Sequence, residues 1–352
     1  MRRLLFSLLL LAAVLCGCSQ EQKYVIGFYN VENLFDTSDD PLKDDDEFLP
    51  EGRNHWTQDK YEEKLGNIAH VIRAMKDENG AFHTLLGVAE VENRKVLEDL
   101  VAQEEIASAG YGIVHHEGPD GRGIDVALLY RPDQFELLES ESIPYTFEGT
   151  EVQVSLSPEE QQAFRTRDIL MVRGLLDGEQ FAVYVAHLPS RSGGKGGDLR
   201  SVGAEIIYRH SEEMMEKYPG IKIVVMGDMN DNPTDESMKV WLHAEGDIAG
   251  VTSREVYFSP FEEMFKDGYG SLSYRGEWNI YDLILVNYSL AAAPDGGLKI
   301  CETADGYYGY VFKRPFLTQQ DGKYKGTPFR SFSYGEFIGG YSDHYPTYVV
   351  IK

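Results

Sequence analysis

The stretch IKIVVMGDMND at residues 221–231 is a continuous apolar run that stops at two polar side chains, Asp228 and Asn230. An uninterrupted run of this kind predicts a strand that is covered on both faces. Because Asp228 and Asn230 are two residues apart on an extended chain, we expect them to point to the same side. Gly227 would let a ligand approach the backbone there. The alternative is an Asp/Asn turn that ends the strand before Pro233.

Polar residues follow apolar runs along the whole chain in the same way, which predicts one shared site at the strand ends. Helices are predicted at 61–75, 95–101 and 199–218, the first because apolar residues recur there at spacings of three and four. The predicted strands lie at 24–29, 84–89, 124–130, 168–172, 181–186, 221–226, 281–286 and 347–351. The polar residues at their ends are Asn30, Glu90, His187, Asp228, Asn230, Asp282, Asp343 and His344.

Two local features refine this pattern. Asp177 and Gly178 predict a hairpin turn between the strands at 168–172 and 181–186. Asp125 lies inside the predicted strand at 124–130, where an unpaired carboxylate would be unfavourable to bury. We therefore expect a polar partner for Asp125, for which a histidine would serve.

Composition indicates a large folded core and an acidic surface. The 352 residues are 42% hydrophobic and 12% aromatic, and the formal net charge is −25. This charge argues against tight, non-specific binding of nucleic acid over a broad surface, but it allows a small cleft in which a cation bridges to a polyanion. The acidic run at 44–47 is interpreted as a solvated loop.

The N-terminus has the layout of a lipoprotein signal peptide. Arg2 and Arg3 precede an uncharged run at 4–15 that is too short to span a bilayer. LCGC at 15–18 resembles a bacterial lipobox, in which Cys18 would be the lipidated residue; the alternative is simple secretion with cleavage nearby. We expect a signal peptide at 1–17, a tether at 18–23 and a single catalytic domain at 24–352. The chain would then be anchored in the bacterial cell envelope, on the periplasmic or the outer-surface face, with no obligate protein partner indicated.

The types of residue at the strand ends indicate a reaction at phosphorus. Carboxylate and amide oxygens suit Mg²⁺ or Mn²⁺, with Ca²⁺ as a further option, better than they suit zinc. Two histidines with nearby carboxylates supply acid–base groups. The sequence has no serine elbow, no reactive cysteine and no phosphate-binding P-loop motif. Metal-assisted attack of water on a phosphate ester is the simplest chemistry that these residues allow.

In series, these motifs resemble the endonuclease/exonuclease/phosphatase superfamily, and pancreatic-type deoxyribonuclease in particular. The matching motifs are FYNVENLF at 28–35, GVAEVEN at 87–93, YRPDQ at 130–134, VAHLPSR at 185–191, MGDMND at 226–231, YDLILV at 281–286 and SDHYP at 342–346. The resemblance implies a four-layer α/β sandwich, with two mainly antiparallel sheets packed face to face and helices on both outer faces. Asp125 does not align cleanly with the acidic residue that supports the family's general-acid histidine.

The resemblance also implies a role for each candidate residue. Asn30, Glu90 and Asp343 would hold the metal. Asp282 would orient His344 as a base, while His187, supported by Asp125, would protonate the leaving oxygen. The substrate phosphate would be bound by Asn230, Arg167 and Arg191, and Asp228 would orient the water or a second cation. An alternative for the loop that carries Arg191 is a simple linker.

These features predict a secreted, metal-dependent phosphodiesterase, in the first place a nuclease. A sphingomyelinase-like or inositol-phosphate phosphoesterase is the alternative within the enzyme class. A binding lipoprotein that kept the fold and lost activity is the alternative in a different class. The expected partners are a phosphate-ester substrate, with nucleic acid as the leading candidate, and the membrane through the lipid anchor.

Overall fold

The structure is a computed structural model that describes residues 23–191, 196–294 and 296–352. The predicted signal peptide, most of the tether and Cys18 lie outside the described residues. Within them, no helix is long and apolar enough to cross a membrane.

Seventeen strands and six α-helices are numbered here in chain order. The strands are β1 (Tyr24–Leu34), β2 (Leu85–Val91), β3 (Gly112–His115), β4 (Asp125–Tyr130), β5 (Phe135–Ile143), β6 (Ile169–Leu176), β7 (Glu179–His187), β8 (Lys222–Asp228), β9 (Ala244–Glu245), β10 (Tyr257–Phe258), β11 (Leu272–Tyr274), β12 (Glu277–Asn279), β13 (Asp282–Asn287), β14 (Gly309–Val311), β15 (Phe332–Ser333), β16 (Glu336–Phe337) and β17 (Thr347–Ile351). The helices are α1 (Gln58–Asn79), α2 (Arg94–Val101), α3 (Pro158–Ala163), α4 (Gly197–Lys217), α5 (Glu262–Lys266) and α6 (Tyr288–Ala291).

Two large sheets form the centre of the fold. One has the strand order β14-β17-β1-β2-β4-β3, and the other has the order β5-β6-β7-β8-β13-β10-β9. Most neighbouring strands are antiparallel, but β1 runs parallel to β2, β7 to β8 and the short β9 to β10; the first two pairs lie at the site. These two pairs matter for the site, because each delivers the ends of two strands to the same edge of its sheet.

The hydrophobic core divides into two clusters that define four layers. The first cluster contains residues from the inner faces of both sheets, such as Phe28 and Met226, together with Ile207 of α4. The second contains the opposite face of the first sheet, such as Tyr29, packed against Ile68 of α1 and the apolar face of α2. The alternation of Phe28 and Tyr29 between clusters follows from the period of two along a strand. The predicted four-layer sandwich is confirmed.

Most predicted elements occur near their expected bounds, and the hairpin between β6 and β7 turns at Asp177 and Gly178, both with positive φ (51° and 77°). The first strand was predicted too short. It continues past Asn30 to Leu34 because its pairing with β2 shifts register there, and Glu32 and Asn33 adopt left-handed φ values of 54° and 55°. This irregularity lies beside the site and bends the strand around it.

Candidate active site

The predicted site residues converge at one edge of the two sheets. In the parallel pair β7 and β8, His187 lies opposite Asp228, and in the antiparallel pair β8 and β13, Asp282 lies opposite Asp228. In the parallel pair β1 and β2, Asn30 pairs with Ala89, and Glu90 is the next residue along β2. A cavity of about 1040 Å³ opens over these strand ends. Eight residues predicted from the sequence line it: Glu90, Arg167, His187, Arg191, Asp228, Asn230, Asp343 and His344.

Asn30 joins the two carboxylates at the base of this cavity. Its Nδ2 donates hydrogen bonds to Glu90 Oε1 (3.2 Å) and to Asp228 Oδ2 (3.0 Å). Its Oδ1 accepts from the backbone N–H of Glu32 at 2.9 Å. The amide oxygen that was predicted as a metal ligand therefore faces the backbone, and Asn30 acts in this structure by holding Glu90 and Asp228 together.

Glu90 and Asn230 adopt backbone conformations that side chains other than glycine rarely take. Their φ values are 63° and 51°. Each is fixed by neighbouring contacts, since Glu90 Oε2 accepts from the backbone N–H of Asn33 (3.0 Å) and Asn230 Nδ2 donates to the carbonyl of Leu188 (3.0 Å). Such conformations cost about 1–3 kcal/mol each and cluster at functional sites, where they aim a side chain.

Asp282 and His344 form a buried pair. Nδ1 of His344 lies 2.8 Å and 3.0 Å from the two carboxylate oxygens of Asp282, which also accepts from Ser271 Oγ at 2.5 Å. Burial works against the charged imidazole, but the Asp282 carboxylate outweighs it and raises the pKa of His344 well above its usual value. His344 is therefore protonated at neutral pH in the metal-free chain, and Asp282 fixes its orientation as expected.

His187 is in the opposite state. Burial lowers its pKa well below the usual value, and the positive charge of Arg167 lowers it further. Its Nε2 lies 3.6 Å from Asp228 Oδ2, while its Nδ1 is buried without a hydrogen-bond partner among the described residues. The resemblance implied that His187 is the acid and His344 the base. The pKa directions in the metal-free chain run opposite to that assignment, because they favour the proton on His344 over His187.

Asp228 lies between the two histidines. His344 Nε2 is 3.8 Å from its Oδ2, and its Oδ1 accepts from the backbone N–H of Asn230 at 2.9 Å. Burial, together with the neighbouring charge of Asp282, raises the pKa of Asp228 to about 6. A carboxylate between two imidazoles can orient a water molecule at the base of the cavity.

Asp343 belongs to a charged network that the sequence did not reveal. Arg330 donates to Asp343 Oδ2 at 2.6 Å and lies 3.6 Å from Glu32 Oε1. Burial raises the pKa of Glu32 to about 8, and burial lowers that of Lys64 to about 8. Glu32 stands two residues after Asn30 in β1, which is the signal that could have identified it. Arg330 lies in a loop and has no comparable signal.

Arg167 and Arg191 line the cavity, but their guanidinium groups are already engaged by the protein. Arg167 donates to the carbonyls of His187 (3.1 Å) and Leu188 (2.9 Å) and pairs with Asp120 at 3.3 Å. Arg191 donates to the carbonyl of Asn230 (2.7 Å) and pairs with two carboxylates of the same loop. Both arginines therefore shape the site in this structure, and their predicted contact with substrate stays a prediction.

Asp125 has a different partner from the one predicted. Its Oδ2 lies 3.4 Å from His115 Nε2 and accepts from the backbone N–H of Gly118 at 3.2 Å. The expectation that a histidine would compensate the buried carboxylate is met, but by His115. Among the described residues, no hydrogen bond joins Asp125 to His187. His115, at the end of β3, pairs with Ala127 of β4 and therefore lies beside Asp125.

The donor set at the base of the cavity fits a divalent cation. Glu90 and Asp228 present carboxylate oxygens that converge on one Asn30 amide, and Asp228, Asp282 and His344 offer atoms that all lie within 4.8 Å of one another. Asp282 is fully buried behind His344, whereas Glu90 and Asp228 line the cavity, so Glu90 and Asp228 are the better ligands. Oxygen donors of this kind match Mg²⁺ or Mn²⁺.

The chain was compared with known proteins. A family model described as the Endonuclease/Exonuclease/phosphatase family matches residues 25–352. No curated protein matches. The human nocturnin catalytic domain with bound sulfate is 17% identical, with a TM-score of 0.56 and 94% of each chain covered. TDP2 from D. rerio, complexed with a single-strand DNA product, is 15% identical over 94% of this chain and 100% of that chain, with a TM-score of 0.54.

A mannosyl-6-phosphatase from Bacteroides thetaiotaomicron is also similar, with 14% identity, a TM-score of 0.52, and 94% of this chain and 99% of that chain covered. At such identities the solved structures show the shared fold, whereas the family model covers nearly all of the described chain and the motifs that build the cavity. This protein therefore belongs to the endonuclease/exonuclease/phosphatase family, whose members are hydrolases that act on phosphate esters.

Proposed function

We propose that the protein is a secreted phosphodiesterase, in the first place a nuclease, that depends on Mg²⁺ or Mn²⁺. The observation that carries this proposal is the position of Asp228. Its carboxylate is joined to Glu90 through Asn30 and lies within 4 Å of ring nitrogens of both His187 and His344. A phosphate in this cavity would have carboxylates for a cation on one side and two imidazoles on the other.

The protonation states assign a role to each side chain. Asp228, which lies between the two histidines, orients the attacking water. His344, charged through Asp282, stabilises the negative charge on the phosphate and donates a proton to the leaving oxygen. His187, neutral in the metal-free chain, donates a hydrogen bond to a phosphate oxygen. A divalent cation held by Glu90 and Asp228 would supply neutralisation of the phosphate charge.

The rim of the cavity supports an extended, polyanionic substrate. In a chain of net charge −25, several cationic side chains are gathered around this one opening. They are Arg53, Arg122, Arg167, Arg191, Arg275, Arg330 and Lys323. The tyrosines Tyr274, Tyr281, Tyr324 and Tyr334 lie among them. Positive charge interleaved with aromatic rings suits a phosphate backbone and stacked bases, and the similar TDP2 structure holds a single-strand DNA product.

We also propose that lipidation of Cys18 holds the mature chain on the cell envelope. The lipobox-like LCGC at 15–18 supports this location. Nucleic acid from outside the cell would then be the available substrate. Attachment is independent of the catalytic proposal, because the two rest on different parts of the chain.

A substrate and metal panel tests the proposed function. The purified domain is incubated with DNA, RNA, sphingomyelin, inositol phosphates, sugar phosphates and bis-p-nitrophenyl phosphate, each with Mg²⁺, Mn²⁺, Ca²⁺ or excess chelator. The proposal expects the highest kcat/KM on a nucleic acid and no turnover in chelator. A preference for a phosphomonoester or a phospholipid would overturn the substrate assignment. Absence of turnover on every substrate, with folded and metal-loaded protein, would favour the binding lipoprotein.

A further inference from the structure

A second group of potential metal ligands lies where β3 and β4 are joined. His115 is the last residue of β3, Asp125 is the first residue of β4, and Glu117 follows His115 by two positions. One ligand atom from each of the three can be chosen so that all lie within 4.8 Å of one another. The imidazole of His115 and the carboxylate of Asp125 are buried, with side chains 2% and 5% exposed.

The contact between His115 and Asp125 is not an ordinary hydrogen bond. Within the part of the chain that the structure describes, Nε2 of His115 is buried without a hydrogen-bond partner, although Asp125 Oδ2 is only 3.4 Å away. The same chain shows what a hydrogen-bonded His–Asp pair looks like, since His344 and Asp282 approach to 2.8 Å. In a tetrahedral zinc site, each nitrogen or oxygen ligand lies about 2.1 Å from the metal, and two ligand atoms therefore lie about 3.4 Å from each other. The spacing of His115 Nε2 and Asp125 Oδ2 matches this distance.

We propose that His115 Nε2 and Asp125 bind a divalent transition metal, Zn²⁺ or Mn²⁺. Glu117, whose Oε1 lies 3.9 Å from His115 Nδ1, becomes the third ligand by rotation of its exposed side chain. A buried imidazole among the donors favours these ions over Mg²⁺ and Ca²⁺, which prefer oxygen alone. Glu117 is 60% exposed, so water completes the coordination shell from its side.

The surroundings give such a cation a way in. A small pocket of about 150 Å³ adjoins Glu117, and four other acidic residues line it. They are Asp36, Asp39, Asp40 and Glu92. Lys43 also lines this pocket, where its Nζ donates to the carbonyls of Gly118 (2.7 Å) and Asp120 (3.1 Å) in the loop at 116–124. Clustered carboxylates raise the local concentration of cations.

A metal at this position would brace the active site without taking part in the reaction. It would tie together the two ends of the loop at 116–124. That loop carries Asp120, which pairs with Arg167, and Arg122, which lines the catalytic cavity. The bound metal would therefore stabilise the loop and keep Arg122 in place.

Binding of zinc alone tests the proposal without turnover, so its failure is separate from a failure of the proposed hydrolysis. Equilibrium dialysis with Zn²⁺ is carried out on the whole domain and on a Glu90→Gln variant, which weakens the catalytic centre. One zinc per chain is expected to remain in Glu90→Gln and to be lost in Glu90→Gln combined with His115→Ala. The matched control is Glu90→Gln combined with His116→Ala, because His116 is an exposed neighbour that contacts Ser140. This double variant should bind zinc as Glu90→Gln does.

Glu117→Gln provides a second variant that keeps the fold, because this side chain is largely exposed. It should weaken zinc binding by at least about 10–100-fold, the range seen when a residue that only supports a metal ligand is removed, with an unchanged circular dichroism spectrum. Anomalous scattering at the zinc edge should place the ion between His115 and Asp125. Equal zinc binding in all four variants, or zinc found only at Glu90 and Asp228 in the unmodified chain, would overturn the proposal.

Discussion

His344 and His187 are distinguished by their response to the leaving group of the substrate. The perturbation is His344→Gln, compared with His187→Gln. Glutamine keeps an N–H that can donate to Asp282, whose side chain is fully buried. Alanine would leave that carboxylate unpaired at a cost of about 3–5 kcal/mol in stability. The defect measured in His344→Gln is therefore one of proton transfer and charge at the phosphate.

The structure sets the expected size and selectivity of the defect. General acid catalysis contributes about 10²–10⁴-fold, or roughly 3–5 kcal/mol. His344→Gln should lose that amount on a nucleotide diester, whose alkoxide leaving group needs a proton. It should lose much less on a p-nitrophenyl diester, whose leaving group does not. His187→Gln should lose similar factors on both substrates, because a neutral imidazole binds the phosphate in each case.

The assay is kcat/KM for both variants on both diesters, at one metal concentration. Circular dichroism and metal content provide the controls. If His187→Gln shows the selective loss and His344→Gln does not, the roles implied by the family resemblance are correct. The pKa directions in the metal-free chain would then fail to describe the loaded enzyme.

Three further predictions concern the metal, acid stability and the membrane. Glu90→Gln should abolish turnover while the melting temperature of the metal-free protein stays within a few degrees, because a ligand rather than core packing is removed; a collapse in stability would point to a structural role. Burial holds the pKa of His83 at about 3, against 6.5 when unfolded, so the unfolded state takes up the proton first and stability falls as the pH drops below 6.5. Between about pH 7.5 and about pH 5, the free energy of unfolding of the unmodified protein should fall by about 2 kcal/mol more than that of His83→Leu, as measured by denaturant titration. Parallel curves for the two proteins would exclude this. Cys18→Ala should release the protein from the membrane fraction, since acyl chains bind at about 0.8 kcal/mol per buried methylene; unchanged fractionation would exclude the anchor.

The sequence predicted the fold well because its strongest signals are local. The uninterrupted apolar run of β8 and the spacing of apolar residues in α1 are local, and each element lies close to its expected bounds. Local signals do not report where a strand shifts its register. The extension of β1 past Asn30 depends on pairing with β2, a strand distant in the sequence, so its end could not be read from the run itself.

For the site, the sequence predicted which residues meet but not the contacts between them. His187, Asp228 and Asp282 come together because strand pairing places them opposite one another, and the polar ends of the strands signalled this. Protonation depends on burial and on partners a few ångströms away. Sequence spacing therefore could not show that His344 is charged and His187 neutral.

Asp125 shows where this kind of inference stops. The physical requirement was read correctly, since a carboxylate inside an apolar strand needs a polar partner. The choice of partner depends on how the chain returns from β3 to β4. Because His115 pairs with Ala127 in that antiparallel register, Asp125 and Glu117 come to lie at the mouth of the same connection, beside the His115 ring. The family resemblance suggested His187, which is distant in the sequence, as the partner. Asp125 instead lies beside His115, which precedes the loop. Asp125, which was expected to support His187, therefore contributes its carboxylate to the metal site that we propose with His115 and Glu117.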